Sequence, residues 1–159
     1  MPHRGPHLRS SGDFPDLDTI LNAAPDVVGH NLETVKRLYP LARPQADYYR
    51  SLDILEHISG KGFIAKSGVM IGLGERTYEM EDLMHDAAER GVSIFTIGQY
   101  LQPTREHLPV REYIHPDIYA EYKKTGMKCG LQKVISGPLV RSSYHAKEAY
   151  EALTIKEKI

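Results

Sequence analysis

The chain has 159 residues, of which 26% are charged and 41% are apolar, with a formal net charge of -1. This ordinary balance provides no basic surface for nucleic acid or for an anionic membrane, so neither partner is expected. The length suits one domain but falls short of the ~250 residues of a complete eight-stranded α/β barrel. No apolar run approaches the ~18 residues of a membrane span and no signal peptide is readable. We therefore expect a cytoplasmic protein, or an organelle-matrix protein in a eukaryote.

The amino-terminal region begins with a segment that we exclude from the fold. Residues 1–11 contain proline, glycine and basic residues without apolar periodicity, so we expect a disordered leader there. A short helical pattern follows at residues 17–21. The apolar run at residues 27–31 is bounded by turn signals, and it predicts a buried strand that ends in His30 and Asn31.

Two helices are predicted after this strand. Asn31 is a suitable cap for a helix over residues 32–38, which would stop before Pro40. Asp47 is the predicted cap of a second helix, which carries apolar residues at helical spacing and ends at Gly60. Each capping side chain would accept a hydrogen bond from a free amide of the first turn.

The middle of the chain repeats the order of strand, turn and helix. Residues 63–71 predict a strand, and Thr77 is the predicted cap of a helix that closes at Gly91. Residues 92–97 are rich in β-formers and predict the next strand. The loop over residues 99–113 is long for a compact domain, and loops of this length are more often functional than idle.

The final units complete the pattern. His115 precedes a helix with proline in its first position, residues 134–135 form a last short strand, and residues 146–158 predict a terminal helix. Alternating strands and helices demand a parallel sheet with right-handed crossovers, so the predicted fold class is α/β. After the leader we delimit an α/β region over residues 12–136 and a C-terminal extension over residues 137–159.

Four conspicuous segments each follow a predicted strand. In parallel α/β sheets and barrels, the loops that leave the carboxyl ends of the strands face the ligand. One common pocket is therefore expected to collect all four. The segments are residues 30–31, 72–75, 98–103 and 141–145.

Gly72 and Gly74 stand between a strand and a helix and allow three interpretations. Glycines at such a turn let backbone amides approach a phosphate at the helix start. They also permit the close approach of another small ligand, or serve only a tight turn. Thr77 occupies the position of the third glycine of a dinucleotide motif, which weakens the phosphate interpretation.

Single residues give weaker signals. His30 is a candidate metal ligand or acid-base group, but no second histidine stands at a spacing that completes a metal site. Ser142 and Ser143, beside His145, lack the elbow, oxyanion hole and acidic partner of a serine hydrolase, so helix capping is favoured. Cys129 is the one cysteine, and a structural role beside a turn is expected for it.

Taken together, the ordered segments are far more specific than any one of them. They resemble the second half of lipoyl synthases, which are radical S-adenosylmethionine enzymes, without large gaps from about Gly12 to Ala149. The segments that carry this resemblance are residues 30–35, 43–52, 66–75, 96–103, 107–109 and 136–145.

The resemblance implies a fold, a reaction and cofactors. The fold is the C-terminal part of a partial (β/α) TIM-type barrel. The reaction is the radical insertion of two sulfur atoms at C6 and C8 of a protein-bound octanoyl chain, which makes the lipoyl cofactor. The implied cofactors are S-adenosylmethionine and two [4Fe-4S] clusters, one of them auxiliary. The implied substrate is an octanoylated lipoyl domain or H protein.

The resemblance also implies site residues, although none is assigned a catalytic step. The family's Arg-Ser-Ser-Tyr motif supplies a non-cysteine ligand to the auxiliary cluster, and this ligand falls on Ser142 or, alternatively, on Ser143. The residues that match segments lining the S-adenosylmethionine and octanoyl pocket are His30, Asn31, Gly72, Gly74, Glu75 and Gln99.

The number of cysteines departs from the family pattern. A [4Fe-4S] cluster needs about four ligands, mostly cysteine sulfur, and the family's two cysteine motifs belong to its first half. We expect a truncated, frameshifted or split gene product that is inactive without an N-terminal half as partner and that associates through its unpaired strand edge. Two alternatives stay open: a non-catalytic remnant that binds S-adenosylmethionine or an octanoylated lipoyl domain, and a pseudogene product without a stable fold.

Overall fold

A computed structural model describes residues 14–141, and these residues form a four-stranded sheet that is parallel throughout. The predicted α/β fold with parallel strands is confirmed. The predictions for residues 1–11, for Ser142 and Ser143 and for the terminal helix lie outside the described residues. In the order β1-β2-β3-β4, the strands are Val27–Gly29, Ile64–Ile71, Val92–Gln99 and Lys133–Ser136.

Helical segments precede β1 and connect each pair of successive strands. Within residues 14–141, none of them has both the length and the apolar character required to cross a bilayer. Helix α1 spans Pro15–Asn22; a 3-10 turn at Lys36–Leu38, α2 at Tyr39–Ala42 and α3 at Tyr48–Gly60 lie between β1 and β2; α4 spans Thr77–Glu89 and α5 spans Pro116–Cys129.

The two faces of the sheet have different surroundings. Alternate strand residues such as Val28, Val69 and Phe95 belong to the main hydrophobic core, which also contains the buried residues of α3, α4 and α5. On the opposite face, among residues 14–141, Ile94 is buried in a small cluster with two other strand residues, Ile64 and Ile135. The sheet is therefore packed by helices on one face, and we refer to the other as the inner face.

Two predicted helix starts are confirmed by their caps. The Asp47 carboxylate accepts a hydrogen bond from the amide of Arg50 at 2.9 Å, and α3 follows directly. His115 caps α5, since its Nδ1 accepts a hydrogen bond from the amide of Asp117 at 3.1 Å. Both caps satisfy first-turn amides that have no partner inside the helix.

The predicted helix over residues 32–38 is wrong. The Leu32 amide donates to the Ser67 hydroxyl at 3.1 Å, and Glu33 forms an isolated parallel bridge with Val69 of β2. Pairing with β2 thus keeps residues 32–35 out of a helix, and only a 3-10 turn and the short α2 follow. Tertiary pairing outweighs local helix propensity here.

The predicted cap of α4 is displaced by one residue. Arg76 is the capping residue and Thr77 is the first residue of the helix. The Glu79 carboxylate accepts a hydrogen bond from the Arg76 amide at 2.9 Å, which is the reciprocal bond of a capping box. An acidic residue three positions into the helix was therefore the informative signal, rather than the threonine.

Candidate functional site

The register of the sheet brings the ends of β2, β3 and β4 to one edge. Ile71 pairs with Gln99, and Ile97 pairs with Ser136, so the segments after all three strands leave the sheet side by side. Strand β1 stops earlier, because its last residue, Gly29, pairs with Lys66 in the middle of β2. The predicted gathering of loops at the carboxyl edge is confirmed for the segments after β2, β3 and β4, as far as residue 141.

The glycine turn after β2 is filled by the chain itself. The Gly72 amide donates to both carboxylate oxygens of Glu75, at 3.0 and 3.1 Å, and the Leu73 amide donates to one of them at 3.1 Å. Arg37 also donates to the carbonyl of Gly74 at 3.0 Å. Because Glu75 places a carboxylate where a phosphate would bind, these bonds support the tight-turn interpretation and argue against a phosphate cradle.

Gln99 is the most extensively bonded side chain at this edge. Its Nε2 donates to the carbonyls of Tyr100 and Glu112, both at 3.0 Å. Its Oε1 accepts from the Ile114 amide at 2.9 Å and from the Tyr119 hydroxyl at 3.2 Å. Burial raises the pKa of Tyr119 to about 12, so the phenol stays protonated well above neutral pH. The Gln99 amide, in a residue only 5% exposed, therefore holds the loop, and its predicted cofactor contact stays a prediction.

The same loop is also held by Gly72. The Gly72 carbonyl accepts hydrogen bonds from the amides of Arg111 at 2.8 Å and Glu112 at 3.2 Å. Residues 100–115 contain no helix or strand, as predicted for a long loop. Their last part is nevertheless fixed against the sheet edge, because Gly72 and Gln99 bind it from two adjacent strands.

A small cavity lies on the inner face at the carboxyl ends of the strands. Its volume is about 180 Å³, below the roughly 300–1,000 Å³ of a typical ligand pocket. The lining offers a carboxylate, a guanidinium, an amide and a hydroxyl, which suit the charged end of a small molecule. It consists of Asn31, Glu33, Gly68, Val69, Met70, Thr96 and Arg141.

Glu33 is a cavity residue that sequence reasoning missed. Its φ is +72°, a left-handed backbone that costs a residue with a side chain about 1–3 kcal/mol. Two backbone bonds of 3.0 Å maintain it, from the Glu33 amide to the Gly68 carbonyl and from the Met70 amide to the Glu33 carbonyl. No local signal in the sequence reveals a glutamate in this conformation, since the bonds that enforce it come from β2.

The structure separates His30 from Asn31. His30 lines a different, mostly apolar groove of about 360 Å³, together with Phe14, Leu17 and Ile54. Its Nε2 is buried and has no hydrogen-bond partner among residues 14–141. Burial, followed by the charge of Arg43, lowers the pKa of His30 below its usual value. His30 is therefore held neutral at neutral pH, away from the cavity that Asn31 lines.

The described residues do not fit an iron-sulfur cluster. Cys129 is the last residue of α5, which runs from the carboxyl edge back to the edge where β4 begins. Burial raises the pKa of the Cys129 thiol, with a smaller contribution from Glu81, so the thiolate needed as a ligand is disfavoured. Among residues 14–141, the group of close metal-ligating side chains lies on α4 and consists of His85, Asp86 and Glu89.

Comparisons with known proteins point to one family, although no family model matches the chain. The chain is 51% identical to the lipoyl synthase of Bacteroides fragilis over 132 residues, which is 83% of this chain and 46% of that protein. It is 52% identical to the Leptospira interrogans lipoyl synthase over 83% of this chain and 44% of that protein. With the Nitratidesulfovibrio vulgaris enzyme it shares 47% identity over 92% of this chain and 50% of that protein. The chain spans about half the length of the curated relatives it matches.

The crowding at Gly72 predicts a large effect of a single methyl group. An added Cβ would lie 2.4 Å from Gln99 Nε2 and 2.5 Å from the Glu112 carbonyl oxygen, at a φ of +109°. We expect Gly72→Ala to lower the free energy of unfolding by about 2–5 kcal/mol in urea titrations followed by circular dichroism. Gly62→Ala is the matched control, since Gly62 also has a positive φ but an added Cβ would meet no atom within 4 Å. Equal losses in the two variants would contradict the close packing of Gly72 against Gln99 and Glu112.

The buried His30 predicts an acid-sensitive stability. Because its folded-state pKa lies below the usual 6.5, the unfolded chain binds more protons as the pH falls below about 6.5. The free energy of unfolding should therefore decrease from pH 7 to pH 5, and the decrease should be smaller in His30→Gln. Urea titrations of both proteins at the two pH values measure this difference. Parallel pH profiles would show that His30 is not the responsible group.

Proposed function

Since this chain is related to lipoyl synthases over most of its length, we propose that it supplies the C-terminal half of such an enzyme. The proposed reaction is the insertion of two sulfur atoms at C6 and C8 of a protein-bound octanoyl chain. The observation that carries the proposal is the roughly 50% identity to several lipoyl synthases over 83–92% of this chain. A cytoplasmic location, or an organelle matrix in a eukaryote, belongs to the same proposal.

The architecture supports a place in a larger barrel. Strands in sequential parallel order with helices on one face are arranged as in part of a (β/α) barrel, whose ligand site lies at the carboxyl ends of the strands. Within residues 14–141, β1 pairs only with β2 and β4 only with β3. We propose that strands of an N-terminal half pair with these two edges and cover the inner face.

This chain would supply one wall of the S-adenosylmethionine and octanoyl pocket. We assign Asn31, Glu33 and Arg141 to the charged end of S-adenosylmethionine, because they line the cavity on the inner face. Gly72 and Glu75 would shape the wall next to it through their mutual hydrogen bonds. The cavity is too small for the whole ligand, so the completing half would supply the remaining wall and exclude water.

The iron-sulfur clusters would be held mainly by the completing half. Residues 14–141 offer no cluster site, and we derive no step of the radical chemistry from them. Ser142, or alternatively Ser143, remains our proposal for the oxygen ligand of the auxiliary cluster. Cys129 lies away from the carboxyl edge, and one thiolate is too few for a cluster. This observation favours a second candidate function, a non-catalytic protein that binds S-adenosylmethionine or an octanoylated lipoyl domain.

Complementation tests the proposal. This chain would be produced anaerobically with the cysteine-bearing N-terminal half of the Bacteroides fragilis enzyme and given reductant, S-adenosylmethionine and an octanoylated lipoyl domain or H protein. Mass spectrometry of that protein should show lipoyl product only when both halves are present. Lipoyl product from this chain alone would contradict the proposal that an N-terminal half must supply the clusters. Binding of the substrate by the assembled pair without turnover would favour the non-catalytic alternative.

Substitutions within the pair test the assigned wall. We expect Asn31→Ala to lower turnover at least about tenfold, which corresponds to ~1.4 kcal/mol, while assembly of the two halves is unchanged. Asn22→Ala is the matched control, because Asn22 is exposed at the end of α1, and it should stay within about twofold of the unmodified pair. Equal turnover in the two variants would remove Asn31 from the pocket.

A further inference from the structure

Tyr113 is an exposed aromatic side chain on a fixed backbone. The residue is 73% exposed. The carbonyl of Glu112, which precedes it, accepts from Gln99 Nε2 at 3.0 Å, and the amide of Ile114, which follows it, donates to Gln99 Oε1 at 2.9 Å. One buried side-chain amide therefore holds the backbone on both sides of Tyr113.

This arrangement differs from a mobile loop tip that happens to carry a tyrosine. Fixing backbone costs about 1–2 kcal/mol per residue in conformational entropy, and a large ring left in water forgoes the gain from burial. Gln99, which binds the fixed segment, is itself buried with 5% exposure. The Tyr119 hydroxyl of α5 donates a hydrogen bond to Gln99 Oε1. The structure thus rigidly presents an aromatic group that has not been buried within the described residues.

Two other exposed apolar side chains lie in segments that leave the carboxyl edge of the sheet. Leu101 is exposed in the loop that leaves β3, and Leu139 is exposed in the segment that leaves β4. Both segments begin at the carboxyl edge of the sheet, where the small inner-face cavity also lies. Aromatic residues on rigid supports are the usual anchors of protein interfaces.

We propose that Tyr113 is a contact residue for the protein that carries the octanoyl chain, and that Gln99 is the positioning residue that aims it. This inference rests on the proposed function, because an acyl chain that enters at the carboxyl edge brings its carrier protein to the rim of that edge. Gln99 acts through the backbone of residues 112–114 and does not itself touch the carrier. The Tyr113 ring would pack against an apolar surface of the carrier next to its acylated lysine.

A double-mutant cycle tests the pair Gln99 and Tyr113. The probe is an octanoylated lipoyl domain, and its Kd for this chain is measured by biolayer interferometry for Gln99→Leu, Tyr113→Ala and the double variant. Each single substitution should weaken binding about tenfold or more, as for an aromatic hot spot. The Kd of the double variant should not exceed the larger of the two single-variant Kd values, because Gln99 acts only through Tyr113. Additive losses would refute the positioning role.

Two controls and a conservative variant complete the design. Gln132→Leu and Met127→Ala change exposed residues near the opposite edge of the sheet, and both should stay within about twofold of the unmodified chain. Gln99→Glu keeps the size and the acceptor oxygen but loses the donor to Glu112, so it should reproduce the coupling with Tyr113 if Gln99→Leu fails to fold.

The outcomes distinguish this inference from the proposed function. No binding of the octanoylated domain by the unmodified chain, alone or paired with the N-terminal half, would count against the proposed function. Binding that is undiminished in Tyr113→Ala would overturn this inference alone. Loss of self-association in Tyr113→Ala, without a change in carrier binding, would also overturn it, because the contact would then belong to a second copy of the chain.

Discussion

The pairing of β2 with β3 is the constraint on which the site depends. It sets Ile71 beside Gln99, so that Gly72 leaves the sheet next to the Gln99 amide. The carbonyl of Gly72 and the side chain of Gln99 then bind the last part of the long loop at residues 111–114. This irregular segment at the carboxyl edge is fixed because two adjacent strands supply its hydrogen-bond partners. Without them, its backbone groups would have to bind water.

Patterns that act locally were predictable from the sequence. The cap Asp47, the proline in the first position of α5 and the apolar runs rich in β-formers predicted α3, α5 and the central strands. Non-local effects were not predictable. Pairing with β2 prevents the predicted helix over residues 32–35, and it accompanies the positive φ of Glu33. The buried ion pair of Arg90 and Asp53, at 2.7 Å, likewise joins residues that no sequence motif connects.

The site itself was predicted at the level of segments rather than of single residues. Loops after the strands do meet at one edge, as a parallel sheet requires, but their side chains have different environments. Glu75 folds back onto its own glycine turn, His30 faces an apolar groove, and Asn31 lines the inner-face cavity. Together with the single cysteine and the half-length match to lipoyl synthases, these environments support the proposal that this chain shapes part of a pocket while an N-terminal half holds the iron-sulfur clusters.

Hydrogen exchange of backbone amides tests this account most directly. If Gly72 and Gln99 fix the loop, the amides of Arg111 and Ile114 exchange at least about a hundredfold more slowly than the amide of Arg105 at the exposed loop tip, because each must break a bond to the sheet edge before it exchanges. Exchange of Arg111 and Ile114 at the rate of Arg105 would show that the loop is not held, and would contradict the fixed attachment of the loop to the carboxyl edge of the sheet.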